Sequence, residues 1–261
     1  MDENCRIDRK NDSHFLYFPL LERMPHVRHV LFLNHSRLYP GKDRALRNCL
    51  SEEDLSGGEL LKALDLPASA LVSLQQVHGK RCIAVSERNA SLVQSSEGDC
   101  LITSEKGIAI AVHTADCFPV MIVDAEAKAV ACIHAGWRGI ASGIIEVALE
   151  RMMEVYSCRM NEMVVTIGPG IEKCCYTVRE DLLDAFQKQG VALERFITGD
   201  GDRSFRLSLR EIIQDKLQRS GVKHHEIHHT GLCTCCSPLN LPSYRRDGMA
   251  AGCILSAIML L

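Results

Sequence analysis

Apolar and polar positions along this chain alternate between two periods, and the shorter one dominates. Compact runs rich in Val, Ile and Ala, bounded by Gly, Pro, Asp or Thr, read as strands. They are "ALVSLQQV" (70–77), "GIAIAVHT" (107–114), "FPVMIVD" (118–124), "AVACIHA" (129–135), "EMVVTIG" (162–168), "EIHHTGL" (226–232) and "GCILSAIML" (252–260). Helical spacing is rarer. Ile140, Ile144, Ala148, Met152 and Tyr156 recur every fourth residue and Ile145, Leu149 and Met153 widen the stripe, which predicts one buried amphipathic helix over 139–156. "SLRE" predicts a second helix, with Ser208 as N-cap and Glu211 completing a capping box, ending near Gly221. A third runs through "EDLLDAFQKQG" to Gly190, and Ser56 with Glu59 offers another capping box.

Several predicted strands adjoin without an intervening helix, so the pattern favours a mixed sheet in an α+β fold over regular βαβ alternation. With no repeat, low-complexity stretch or Pro/Gly/Ser linker, residues 1–261 read as a single domain in which 1–55 form a poorly patterned N-terminal part.

Composition adds limits. The chain is 46% hydrophobic and 24% charged, with a formal net charge of −3. Neither a basic tail nor a positive balance calls for nucleic acid or an anionic membrane. The N-terminus has no signal-peptide core, and "MAAGCILSAIMLL" (249–261) is too short to span a bilayer and suits a buried terminal strand. A cytoplasmic location is the expectation. The 13 cysteines then read as reduced thiols, mostly packing, with a few left for metal binding or nucleophilic chemistry.

The chemistry concentrates where strands end. A hairpin turn centred between Ala125 and Glu126 sets Cys117 opposite His134, with Cβ atoms about 4.5–5.5 Å apart, close enough to share one metal ion. A one-residue slip would send one of them to the other face, and Pro119 suggests an edge or bulge there. His78, closing "QQVH", is the third candidate ligand and His113 the reserve. Two imidazoles and one thiolate suit Zn2+ with a vertex open to substrate. After His134 the chain passes from strand to helix through "HAGWRG", where free N–H groups and Arg138 suit an anion such as phosphate; the small residues equally serve a tight turn.

A competing metal site is "HHEIHH" followed by "GLCTCC", with His224, His225, His228, His229, Cys233, Cys235 and Cys236; it lacks paired C-x-x-C knuckles. Cys174 and Cys175 in "IGPGIEKCCYTV" read as pocket wall or packing. Arg245 and Arg246 in "SYRRDG" are either solvated charge or a clamp for an anionic substrate.

In the order "QQVHG", "HTADCFPVMIVD", "IHAGWRG", "IGPGIEKCCYTV", "LCT", "SYRRDG", residues 65–261 resemble the YfiH-like family, also called laccase-domain or polyphenol-oxidase-family proteins. The resemblance implies mixed sheets sandwiched between helices and a metal held by His78, Cys117 and His134. It also implies an enzyme that phosphorolyses adenosine, inosine and methylthioadenosine and deaminates adenosine, or, as in some relatives, edits peptidoglycan precursors. The sequence departs from the family where Asn34 stands in place of an expected arginine, and where "LNLP" precedes "SYRRDG" without an aromatic pair.

Three classes of function are therefore open. A zinc-dependent purine nucleoside enzyme would use zinc to lower the pKa of bound water to about 7, making hydroxide available for attack on purine C6, with Arg138 and Arg245 for phosphate and Asp116 as an available acid or base. It lacks the H-x-E…P-C-x-x-C deaminase signature. A copper polyphenol oxidase fits the two-histidine, one-cysteine set, but no His-x-His pair is present. A non-catalytic metal-stabilised binding protein predicts a closed shell, completed by His113, Cys174 or Cys175.

Overall fold

A computed structural model describes residues 5–10, 13–33, 61–62, 65–126, 128–201 and 203–261. Its strands are β1 (Arg6–Lys10), β2 (Ser13–Tyr17), β3 (Val27–Phe32), β4 (Ala70–Val72), β5 (Cys82–Val85), β6 (Cys100–Thr103), β7 (Ile108–Thr114) and β8 (Phe118–Asp124), followed by β9 (Val130–Ala135), β10 (Met163–Ile167), β11 (Thr177–Arg179), β12 (Ile197–Gly199), β13 (Ser204–Leu207), β14 (Ile227–His229) and β15 (Ile254–Leu260). The α-helices are α1 (Pro19–Glu22), α2 (Ala90–Val93), α3 (Trp137–Ser142), α4 (Ile144–Tyr156), α5 (Glu180–Gln187), α6 (Leu209–Arg219) and α7 (Tyr244–Asp247).

Two six-stranded mixed sheets carry the fold, in the orders β1-β2-β3-β15-β7-β4 and β14-β10-β8-β9-β6-β5, beside a small β11-β13-β12 sheet. Strand alternation divides the core. From β8, Met121 and Val123 enter a cluster shared with Leu31, Ile110 and Ile258 of the first sheet. Val120 and Ile122 face the other way, toward Ile144, Ala148 and Met152 of α4 and Ile212 of α6. The second sheet is thus buried on both faces, which is why β8 and β9 read as continuous apolar runs. The architecture is the mixed-sheet α+β class expected.

The C-terminal run forms β15, with all seven residues buried between β3 and β7. Ser208 caps α6 as expected, its Oγ accepting from the Glu211 N–H at 3.3 Å, but its own N–H donates to Phe196 O at 2.9 Å, so the reciprocal half of the capping box is not made. The helix expected over 139–156 is instead two, because Gly143, at φ +96°, takes the left-handed conformation that ends α3 and opens α4. Within the stretch read as unpatterned, β1, β2 and β3 extend the first sheet; the charged "RIDRK" of β1 is the usual dress of an outer strand. The Ser56/Glu59 capping box lies outside the described residues.

Candidate metal centre

The hairpin between β8 and β9 brings Cys117 and His134 together by a different register from the one expected. His134 lies opposite Pro119, not Cys117, because the turn is centred one residue further along, which shifts each pairing by two, with Asp124 N–H bonded to Ala129 O at 3.1 Å. A two-residue shift preserves side-chain parity, so Cys117, just before β8, keeps the face that His134 uses. Nor does Pro119 mark an edge. β8 is an interior strand, and the proline sits at its second residue, beyond the end of the ladder with β10, whose last pair is Ile167 with Val120.

His78 arrives from a loop fixed at three points. Gln76 exchanges two hydrogen bonds with the backbone of His113, at 2.7 and 2.8 Å, docking the loop on β7. The N–H groups of His78 and Gly79 donate to the two oxygens of Asp99 at 2.9 and 2.7 Å. His78 itself is held at φ +59°. The ligand atoms of His78, Cys117 and His134 all lie within 4.8 Å of one another. The His78 and His134 rings meet edge to face, with centroids 4.7 Å apart. Gly136 lines this trio from beneath: a Cβ there would stand 2.9 Å from both Cys117 Sγ and His78 Cδ2.

Asp99, fully buried, is the organising residue that sequence reasoning missed. Its Oδ1 lies 2.7 Å from His134 Nδ1, which leaves Nε2 of that ring for the metal side. Burial raises the Asp99 carboxyl, but His134 and the Gly79 and His78 N–H groups outweigh it and hold it below the usual range. Burial likewise raises the Cys117 thiol, and the His134 and His78 imidazoles reverse this, bringing it down to about 6. His134 moves oppositely: burial lowers it, yet the Cys117 thiolate and Asp99 bring it to about 9. Each of the two thus favours the charged form of the other. The only sequence sign of Asp99 was an acidic residue leading straight into the apolar "CLIT".

The other expected residues are distributed as follows. His113 is buried in β7 outside the trio, so it does not complete the shell. Cys174 and Cys175 likewise belong to a different cluster. Arg138 is exposed, its guanidinium 4.3 Å from the Trp137 ring centroid. Arg245 lies 5.2 Å from the ring centroid of Tyr176, a buried phenol whose pKa is raised by burial and by Cys117, against the lowering effect of Arg245 and Arg138. Tyr176, not singled out in the sequence, thus packs against Arg245 within electrostatic range of Cys117 and Arg138. Asp116 is engaged at both oxygens, accepting from Thr234 Oγ1 and from the Arg245 N–H, each at 2.6 Å. It clips two loops together. Arg246 grips the carbonyls of Thr234, Cys235 and Leu241, so it is structural and no substrate clamp. The four histidines of "HHEIHH" join no group of metal-ligating side chains among the described residues.

Two mixed six-stranded sheets with a His/Cys/His trio that could hold a metal ion define an α+β protein of the mixed-sheet class. The chain belongs to the multi-copper polyphenol oxidoreductase laccase family, whose model matches residues 57–261. It is similar to a purine nucleoside phosphorylase of Bacteroides thetaiotaomicron, 34% identical over 62% of this chain and 60% of that protein. The match thus spans less than two thirds of that relative. It is also similar to adenosine deaminase RL5 of an unknown prokaryotic organism, 29% identical over 76% of this chain and 82% of that one. In fold it matches the crystal structure of Bacillus licheniformis hypothetical protein YfiH, with a TM-score of 0.83, 23% identity, and 98% and 99% of the two chains covered.

The family description raises the question of copper. Two imidazoles and a thiolate fit one zinc or one copper ion. A multinuclear copper cluster needs a concentration of histidines, and among the described residues the trio is the only metal-ligating group that contains any. The donor set fits a single ion.

Proposed function

We propose that this chain is a zinc-dependent purine nucleoside enzyme that phosphorolyses adenosine, inosine and methylthioadenosine, with deamination of adenosine as a second activity. The observation that carries the reading is the trio itself. Among the described residues, His78, Cys117 and His134 converge without a fourth His, Cys, Asp or Glu in their group, as a substrate-admitting site requires. Relatives named for phosphorylase and deaminase activity support the substrate class.

Bound zinc would supply a Lewis acid at the open vertex. The protein's own residues would do the rest. Asp99 orients His134 and the His78 loop, so the ligands are pre-aimed. Arg138 and Arg245 would supply positive charge for phosphate and Tyr176 the wall between them. In phosphorolysis the bond from ribose C1′ to the purine nitrogen breaks, a phosphate oxygen bonds to C1′, and the departing base takes up a proton. Asp116 holds Arg245 and Thr234 and contributes position rather than proton transfer.

The test is to incubate the zinc-loaded protein with adenosine, with and without phosphate, and identify the products. Adenine with ribose 1-phosphate only when phosphate is present, accompanied by slower inosine formation, is the expected result. Unchanged adenosine overturns it. A copper oxidase is the second reading, favoured by the family description; copper-dependent oxygen uptake with a phenol, and no nucleoside turnover, would select it.

A further inference from the structure

Four cysteines outside the trio form a second cluster. The sulfurs of Cys174, Cys175, Cys233 and Cys236 all lie within 4.8 Å of one another, with Cys174 and Cys236 separated by 3.6 Å. We propose that these four thiolates form a separate, closed zinc site that fastens two loops beside the candidate active centre. Zinc binds thiolate sulfur at about 2.3 Å in a tetrahedron, which places sulfurs about 3.8 Å apart. The cluster is close to that size before any ion contracts it.

The fold explains the convergence. β10 and β14 are parallel neighbours, so the chains leaving them emerge side by side at one sheet end. The ladder runs on past the strands: Gly170 N–H bonds to Leu232 O at 3.3 Å and Thr234 N–H to Gly170 O at 2.9 Å. Cys174 and Cys175 follow from one strand, Cys233 and Cys236 from the other. The second pair is a C-x-x-C turn, and the Cys235 and Cys236 N–H groups point at the Cys233 sulfur, as donors do in a thiolate knuckle. Its partner pair lies about sixty residues upstream and is adjacent in sequence rather than knuckle-spaced, which hid the set from spacing rules.

Charge and exposure fit as well. Four thiolates around one divalent ion leave two net negative charges, and three guanidinium groups bond to backbone carbonyls of the same two loops, two of them also paired with Asp200 and Asp247. Arg206 donates to Cys174 O at 2.6 Å, Arg245 to Cys175 O at 3.4 Å and Arg246 to Cys235 O at 3.1 Å. Cys174 and Cys236 are exposed, giving an ion a route in; thiols that enter protonated release their protons to solvent. All four vertices are protein, so the ion is structural. The loops it joins carry Tyr176 and Thr234, and Thr234 clips Asp116, which in turn holds the Arg245 backbone.

The proposal does not rest on the nucleoside reading, and its test reads metal rather than turnover. Protein purified under reducing conditions and reconstituted with zinc is analysed by elemental counting and X-ray absorption. The wild type should hold two ions. Cys117→Ala should keep one, with a shell of sulfur alone. The Cys174→Ser/Cys236→Ser double variant should lose that ion and keep the one bound through imidazole. A folded Cys117→Ala protein with no zinc, or with zinc in a shell containing nitrogen, overturns the proposal even if the double variant fails to fold.

Discussion

His134 Nδ1 and Asp99 Oδ1 are 2.7 Å apart in a place closed to solvent, and the same carboxylate holds the backbone that presents His78. One buried acid therefore positions two of the three donors. Asp99→Asn keeps the shape but removes the charge and one of the acceptor oxygens. Zinc affinity should fall about 10–100-fold, measured by competition with a chromogenic chelator. An unchanged affinity would mean that the acid is only packing.

Gly136→Ala puts a methyl 2.9 Å from Cys117 Sγ and His78 Cδ2, so the trio must spread. Metal at that site should be lost from an otherwise folded protein. Gly199→Ala, where nothing lies within 4 Å of the added carbon, is the matched control. Equal zinc content in the two variants contradicts the geometry.

Cys117→Ala removes the only thiolate of the trio. It should abolish turnover of adenosine with phosphate to background as well as the imidazole-bound ion. A variant that keeps its rate would show that the reaction occurs elsewhere.

Metal uptake should be linked to pH in a defined direction. With Cys117 at about 6 and His134 at about 9, the metal-free site carries one proton, on His134, between those values. An incoming ion displaces it. Uptake near pH 7.5 should release about one proton, and affinity should rise about tenfold per pH unit until about pH 9. Calorimetry in buffers of different ionisation enthalpy reads this directly; uptake without proton release would refute the thiolate–imidazolium pair.

His29 gives a separate acid signature. It is buried in β3 and its Nε2 accepts the Phe18 N–H at 2.8 Å, which only the neutral ring can do. Burial, then Arg6, lowers its pKa to about 3. A depressed folded value means its contribution is complete above the unfolded pKa of about 6.5 and is lost as pH falls toward 3, at up to about 1.4 kcal/mol per pH unit. Urea unfolding between pH 7 and 5 should show a steeper loss for the wild type than for His29→Gln.

The strands legible at nearly full length were those buried on both faces, while the runs 70–77 and 226–232 shortened to the three residues of β4 and of β14. β7, β8, β9, β10 and β15 announce themselves as apolar runs, because both sides of each need a hydrophobic neighbour. β5, β6 and the small sheet have only three or four residues per strand, too few to establish a period. Cys117 and His134 were legible because they sit at the ends of β8 and β9, whereas His78 lies in the loop beyond β4, which stops at Val72, and not at the strand terminus its apolar run suggested. Asp99 and Tyr176 were not, since their importance lies in contacts between segments far apart in the chain. The hairpin offset was invisible for a related reason: turn chemistry fixes register, and "DAEAK" specifies no single turn type.

β15 has a consequence for how the molecule is assembled. Until residues 254–260 slide between β3 and β7, the first sheet exists only as two unjoined fragments, each with a raw hydrogen-bonding margin. Closure stitches the first thirty residues to the last ten, a pairing of very long sequence separation that slows folding. Losing this short tail would therefore unzip the sandwich at its centre rather than fray it at a border.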